Sequence, residues 1–263
     1  MKPLTLLTDF GNRDVYVGVM KGVIAQINPK LTVIDLTHLL PPQDIAAGRF
    51  CLMDAYPYFP NGTVHVAVVD PGVGSQRRCI AVEFTNGFLV GPDNGLFSGV
   101  LSQSLAIAAV ELTNADYWRN ERPSSTFHGR DIFAPVAAHL ASGVPLKNLG
   151  KEIDSATLVK LNLPECTLVE NGVVGCIQYI DHFGNLVSNI PENYVQGKNW
   201  HVTLSGLNVA ALNVKSRTTY SDVKIGDVVA LVGSHGWVEI AINNGNAQSK
   251  LHINLQDTVK VEW

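Results

Sequence analysis

Short motifs in this chain place carboxylates, guanidinium groups and imidazoles beside residues that turn the backbone tightly. Asp70-Pro71-Gly72-Val73-Gly74-Ser75 is followed at once by Arg77 and Arg78. A proline and two glycines let the backbone turn sharply and approach a ligand closely. A carboxylate with a guanidinium a few residues away keeps its charge and can orient a water molecule. The same residues also fit a strand-to-strand turn with a surface ion pair, and the arginines could instead hold a phosphate. The glycine spacing is neither a Walker loop nor a dinucleotide fingerprint. His128, within Ser124–Asp131, lies just before a predicted helix, where an imidazole can shuttle a proton or polarise a bond. The alternative is a loop histidine with no role. His38 and His65 read as structural, and His139 as a surface or internally satisfied residue. The eight histidines show no metal-ligand spacing.

Other acidic groups fall at predicted strand ends: Asp9 in Thr8-Asp9-Phe10-Gly11, Asp35 in Asp35-Leu36-Thr37-His38, and Asp93 in Gly91-Pro92-Asp93-Asn94-Gly95 after the predicted hairpin. Together with Asp70 they would face one crevice, because ligands of open α/β sheets bind beyond the carboxyl ends of the strands. One or two could be turn or capping residues. Further on, Asp181-His182-Phe183-Gly184-Asn185 and Ser234-His235-Gly236-Trp237 are turns on their residues alone. A binding role would give Asp181 a cationic group and Asn185 a purine edge.

The elements that must position these groups are legible from hydrophobic period. Residues 4–8, 32–36 and 63–69 read as strands, and 14–28 and 43–56 as helices, the second capped by Asp44. Strand–helix alternation predicts an α/β layer with a mainly parallel sheet. Asn86-Gly87 predicts a hairpin between 79–84 and 87–90. A helix from about 94, a strand near 106–112 and a helix near 130–142 follow. Residues 1–150 are expected to form this domain, 151–165 a linker, and 166–263 a smaller antiparallel β-barrel-like domain with short runs at 167–180, 185–190, 200–204, 227–232, 237–241 and 258–262.

The 263 residues carry 46% apolar and 16% charged side chains and a formal charge of −4, which excludes disorder and argues against a nucleic-acid partner. No run reaches the ~18 apolar residues of a membrane span, and the start lacks signal-peptide features. The four cysteines, Cys51, Cys79, Cys166 and Cys176, form no CxxC pair and read as reduced core residues of a cytoplasmic protein.

Taken in order, several motifs resemble one family. They are Thr8–Gly11 with Asp14, Lys21-Gly22, Asp70–Ser75 with Arg77, Pro92–Gly95, Thr126–Asp131 and Asp181–Asn185. Together they resemble the adenosine-forming S-adenosylmethionine (SAM) hydrolases, also called SAM hydroxide adenosyltransferases, which are homologous to the SAM-dependent fluorinase and chlorinase. The likeness runs from about residue 4 to beyond 240. It implies an N-terminal α/β domain, a C-terminal β-barrel-like domain, and a homotrimer with SAM between neighbouring subunits. It also implies attack at ribose C5′ that releases methionine and adenosine, with no metal or other cofactor.

By motif match, Asp70, Arg77 and His128 are the implied catalytic trio, with Arg78 one residue from Arg77. Asp9 matches the carboxylate that grips the ribose hydroxyls. Asp14 and Asp181 match groups near the methionine ammonium, Asn185 an adenine-reading amide, Ser234 a serine at the methionine carboxylate, and Tyr220 an aromatic ring on adenine. Asn94 is counted with these substrate-binding positions. The chain has His235 where the halogenases place an arginine, Gln43 where the fluorinase has a tryptophan, Asp70 where they have a tyrosine, and Gly129 where they have a serine. It also lacks their inserted segment.

A carboxylate at the nucleophile position would repel a halide by several kcal/mol at an effective dielectric of about 20, so water is the expected nucleophile. The competing readings are a SAM-dependent halogenase, a metal-dependent phosphoesterase using Asp9, Asp35, Asp70 and Asp93, and a non-enzymatic adenosine- or SAM-binding module.

Overall fold

The computed structural model describes residues 2–206 and 209–263. The chain divides into two compact units, Met1–Leu161 and Asn162–Trp263. The first contains β1 (Leu4–Thr8), α1 (Tyr16–Ile27), β2 (Val33–Thr37), α2 (Ile45–Ala55), β3 (Thr63–Val68), β4 (Cys79–Phe84) and β5 (Gly87–Pro92). It continues with α3 (Ser98–Gln103), β6 (Ala106–Glu111), a π-helical turn (Gly129–Phe133) running into α4 (Ala134–Ala141), and β7 (Lys151–Ile153). The seven strands run in the order β2-β1-β3-β5-β4-β6-β7. The first four are mutually parallel, and β4, β6 and β7 add antiparallel pairs.

Central strands of such a sheet are covered on both faces and so read as unbroken apolar runs. β1 and β3 are buried at every position. Leu4, Leu6, Val64, Val66 and Val68 pack with Met20 and Ile24 of α1 and Val136 and Leu140 of α4. On the alternate positions Thr5 and His65 meet, with Thr5 Oγ1 2.9 Å from His65 Nδ1. There His65 packs on the rings of Tyr56 and Phe59, at the end of α2.

Burial pushes the His65 imidazole down from 6.5 to about 4. The folded state therefore holds it neutral, while the unfolded chain takes up a proton below its ordinary pKa. This stabilisation is complete above that ordinary value and is lost as pH falls towards the folded one. It should amount to about 3 kcal/mol between pH 7 and 4. Urea melts across that range should show the loss, and His65→Asn should show a shallower pH slope. Equal slopes for the two proteins would contradict the assignment.

Asp44 caps α2 by accepting the Ala47 N–H at 2.9 Å. The expected hairpin forms with Phe84 opposite Gly87, so its turn is Thr85-Asn86 and Gly87 already belongs to β5. Glycine is needed there for a different reason: a Cβ would stand 2.4 Å from the Thr63 carbonyl oxygen of β3. Part of the expected linker is folded onto the first unit. Lys151–Ile153 pairs with β6, Leu158 is buried, and the Leu161 N–H donates to Ser98 Oγ at 2.8 Å.

The named strands of the second unit all pair antiparallel. It holds β8 (Thr167–Val169), β9 (Gly172–Ile180), β10 (Leu186–Pro191), β11 (His201–Gly206), β12 (Val209–Lys215), β13 (Val228–Val232), β14 (Trp237–Ile242), α5 (Ala247–Leu251) and β15 (Thr258–Glu262). The order is β12-β11-β15-β9-β10-β14-β13, with β8 also on β9. A bridge from Ser216 to Ala230 links the residue after β12 to β13 and nearly closes the barrel. Its interior is filled by Val173, Ile177, Leu186, Val202, Val238, Ile240 and Val261. The run at 167–180 is two strands, and β12 and α5 were not among the expected elements. Among the described residues no helix is long and apolar enough to cross a membrane.

Candidate active site

Asp70 leaves the end of β3 and enters a tight turn in which Val73 N–H reaches the Asp70 carbonyl at 3.2 Å and Ser75 N–H the Gly72 carbonyl at 3.1 Å. Gly74 has φ of +78°, and a Cβ there would lie 2.4 Å from the Ser125 carbonyl oxygen. The turn therefore rests directly on the loop that carries His128. That loop is anchored by the buried Asp131, which accepts from Arg130 Nε and Nη2, both at 2.7 Å, and from Ser124 N–H at 2.9 Å. Its backbone carbonyl also takes the Arg119 N–H at 2.9 Å.

These two loops and the start of β4 bring Asp70, Arg77 and His128 together. Arg77 Nε donates to Asp70 Oδ1 at 2.9 Å and Nη2 donates to Asp70 Oδ2, a bidentate pair. Nη2 also reaches His128 Nδ1 at 2.8 Å. Nη1 donates to Cys79 Sγ at 2.8 Å, and the guanidinium lies over the Phe133 ring with 5.5 Å to its centroid. The side chains of Asp70 and Arg77 are 5% and 9% exposed.

Burial alone would pull the Arg77 pKa down, but the hydrogen bond and charge of Asp70 outweigh it and the net shift is upward. His128 is held below its ordinary value by burial and by the Arg77 charge. A guanidinium has no acceptor. His128 Nδ1 must therefore present its lone pair to Arg77, and the ring proton sits on Nε2. The neutral imidazole is thus set up as a donor. Cys79, whose thiol burial pushes up, closes the fourth side of the guanidinium. Nothing in its apolar surroundings in the sequence announced it; only its place two residues after Arg77 hinted at it.

Arg78 turns away. Its Nε donates to Asp93 at 2.8 Å and its Nη1 to Thr157 Oγ1 at 3.0 Å, while Asp93 also takes the Val159 N–H at 2.8 Å. Arg77 is therefore the arginine beside Asp70, and Asp93 is a fold anchor. Asp35 lies inside β2 rather than beyond its end, and pairs with Lys21 at 2.6 Å and His38 Nε2 at 3.1 Å. The expectation that all four carboxylates stand beyond strand ends is thus corrected for Asp35. Their cations and donors differ, and among the described residues no three His, Cys, Asp or Glu side chains are grouped to hold a metal.

Asp9 follows β1, and its Oδ2 accepts the Gln43 N–H at 2.7 Å. Gln43 takes a φ of 67°, a strained conformation for a non-glycine residue. Asp14 is exposed, two residues before Tyr16 of an aromatic group in which Phe127 stands 5.8 Å from Phe10 and 5.2 Å from Tyr16. Asn94 donates to the Val69 carbonyl at 2.8 Å and accepts from Leu96 N–H at 3.2 Å, so it ties its loop to the end of β3.

In the second unit Asp181 Oδ1 accepts the N–H groups of Phe183 and Asn185, and its Oδ2 accepts Asn185 Nδ2 at 3.0 Å. Asp181 thereby orients the largely buried Asn185 amide. Gly184 has a φ of +81° and leaves no room for a side chain against Asn246. The Tyr220 hydroxyl donates to Glu239 at 2.8 Å. Burial, Glu239 and the charge of Asp181 all raise the phenol pKa. Ser234 is exposed in the turn closed by Gly236 N–H to the Gly233 carbonyl at 2.9 Å. Glu239 escaped the sequence reading, although a lone charge within Trp237-Val238-Glu239-Ile240-Ala241-Ile242 was a signal.

Residues 4–150 match the model of the SAM hydroxide adenosyltransferase N-terminal domain and residues 175–260 that of its C-terminal domain. The chain is 40% identical to an (R)-S-adenosyl-L-methionine hydrolase of Salinispora tropica, over 98% of this chain and 97% of that one. It is 39% identical to a protein of the same name from Thermus thermophilus, covering 95% and 96% of the two chains. A fluorinase of an Actinoplanes species is 29% identical over 91% and 90%. A crystal structure of an uncharacterized conserved protein from Thermotoga maritima superposes with a TM-score of 0.92 at 32% identity, covering 99% of this chain and all of that one. With both of its domains matched in order and relatives alike over nearly their whole length, the chain belongs to the SAM hydroxide adenosyltransferase family.

Proposed function

We propose that this protein hydrolyses S-adenosyl-L-methionine at ribose C5′, giving adenosine and L-methionine. The observation that carries the reading is the Asp70–Arg77–His128 constellation in a chain of this family. Water attacks C5′, and the C5′–S bond breaks with its electron pair going to sulfur. The sulfonium leaves as a neutral thioether, so no general acid is required. The attacking oxygen must be held in line and must lose a proton. Asp70, bound on both oxygens by Arg77, is placed to orient that water and to take its proton, which then passes to solvent. The neutral His128 donates its Nε2–H to the developing hydroxide. The negative charge of Asp70 disfavours a halide at the same position.

Within this reading Asp9 holds the ribose hydroxyls, Asp14 and Asp181 lie near the ammonium, Asn185 reads adenine, Tyr220 packs on it, and Ser234 meets the methionine carboxylate. Asn94 belongs with these substrate-binding positions, on a loop that its own side chain ties to the Val69 carbonyl. No metal or other cofactor takes part, and the assembly is a homotrimer with sites between subunits. The free thiols suit a cytoplasmic enzyme.

The test is incubation with SAM in ¹⁸O-labelled water, with and without chelator. Adenosine and methionine should appear in equal amounts, with label in the adenosine 5′-hydroxyl and no chelator effect. Sedimentation should give the mass of three chains. Intact SAM, or nucleoside formed only when halide is added, would overturn the hydrolase reading.

A further inference from the structure

Glu239 lies within β14 and is 3% exposed. Its strand neighbours Val238, Ile240 and Ala241 are core residues. A carboxylate in such a place is costly unless donors surround it. Tyr220 Oη donates to Oε1 at 2.8 Å, and His235 Nε2 lies 3.0 Å from Oε2. The Trp237 N–H donates to His235 Nδ1 at 3.2 Å, so the ring proton is on Nε2 and points at Glu239. The backbone makes room for this pair: a Cβ on Gly233 would stand 2.5 Å from the His235 ring and 2.8 Å from Glu239 Oε2. Among the described residues no lysine or arginine pairs with this carboxylate. An apolar residue of similar volume would fill the position at lower cost.

Tyr220 itself is 40% exposed, so its ring is presented outward while its polar end is tethered. We propose that Glu239 is a positioning residue for substrate binding: one oxygen fixes the ring of Tyr220, the other fixes His235, and together they preform the second unit's ligand-facing surface. The inference rests on the reading of Tyr220 as the ring that packs on adenine. A tethered ring has little rotamer freedom left to lose when a base stacks on it, so its benefit falls on binding rather than on the chemical step.

Glu239→Gln keeps the size and one acceptor but removes the charge. Three quantities are read: steady-state constants for SAM, the Kd for adenosine by calorimetry, and tyrosine ionisation by ultraviolet difference titration. KM and the adenosine Kd should rise about tenfold, with kcat changed by less than about twofold. One tyrosine should ionise at lower pH than in the parent protein. Tyr220→Phe, which frees the ring, should raise the same two constants and remove the late-ionising phenol; it decides the matter if Glu239→Gln does not fold. A shifted phenol with unchanged KM and Kd would make Glu239 merely structural and overturn the proposal, as would a fall in kcat at constant KM. If the parent protein binds adenosine yet leaves SAM intact, the hydrolase reading fails, while the adenosine Kd comparison still decides the role of Glu239.

Discussion

Arg77→Ala is expected to lose activity and stability together. The Asp70 side chain is 5% exposed and has both oxygens bound by this one guanidinium. Removing it leaves a buried charge without its partner, which costs about 3–5 kcal/mol. In a chain of this size that lowers the melting temperature by roughly 10 °C. The same change removes the donor that fixes His128 Nδ1, so kcat should fall by about 10²–10³-fold or more. Arg77→Lys should rescue part of the stability and little of the activity. An ammonium is a point donor and cannot span two carboxylate oxygens, an imidazole and a thiol at once. Asp70→Asn combined with Arg77→Ala should be more stable than Arg77→Ala alone, because the orphaned charge is gone. Thermal melts and initial rates of these three proteins and of Asp70→Asn alone check this; additive losses in the double variant would show that the pair is not coupled.

His128→Ala is expected to separate those two effects. The ring is half-buried at the start of the π-helical turn, and Asp131 rather than His128 anchors the loop. Stability should therefore change little, while kcat should fall by about 10²–10³-fold, the usual cost of losing one donor to a developing anion. The pH profile carries a sharper signature. Burial and Arg77 hold His128 below 6.5, and the neutral form is the one that accepts from Arg77 and donates through Nε2. Activity should thus stay level as pH is lowered from 8 to the ordinary histidine value and decline only below it. His128→Gln, which keeps an amide donor but cannot titrate, should retain part of the rate and lose that acid limb. An acid limb centred above the ordinary histidine value would contradict the lowered pKa and the neutral ring that accepts from Arg77.

The strands and helices of the first unit were legible because their burial is simple. β1 and β3 are covered on both faces and read as apolar runs, and α2 announces itself with the Asp44 cap. What escaped lacked such a signal. β7 is three residues long and two of them are charged, so no period exists to detect. β12 contains Ala210-Ala211, weak strand formers. Gly87 was read for turn chemistry, whereas its place is set by the Thr63 carbonyl of a neighbouring strand. In the site, Asp70, Arg77 and His128 were recognisable from motif order, but their convergence depends on two loops meeting across 51 residues of sequence. Cys79 and Glu239 act through a single side chain inside a strand. Position along the chain says little about such residues until their neighbours in space are known.

The contact at Gly74 makes the two loops one mechanical part. The Ser125 carbonyl occupies the volume that any side chain at position 74 would need, and the positive φ there suits glycine. Lengthening either loop, or grafting it alone from a relative, would move Asp70 relative to His128 even if both residues were kept. The heritable unit of this chemistry is therefore the pair of loops with its glycine. Exchange among family members should succeed when 70–77 and 124–131 travel together, and fail when either goes alone.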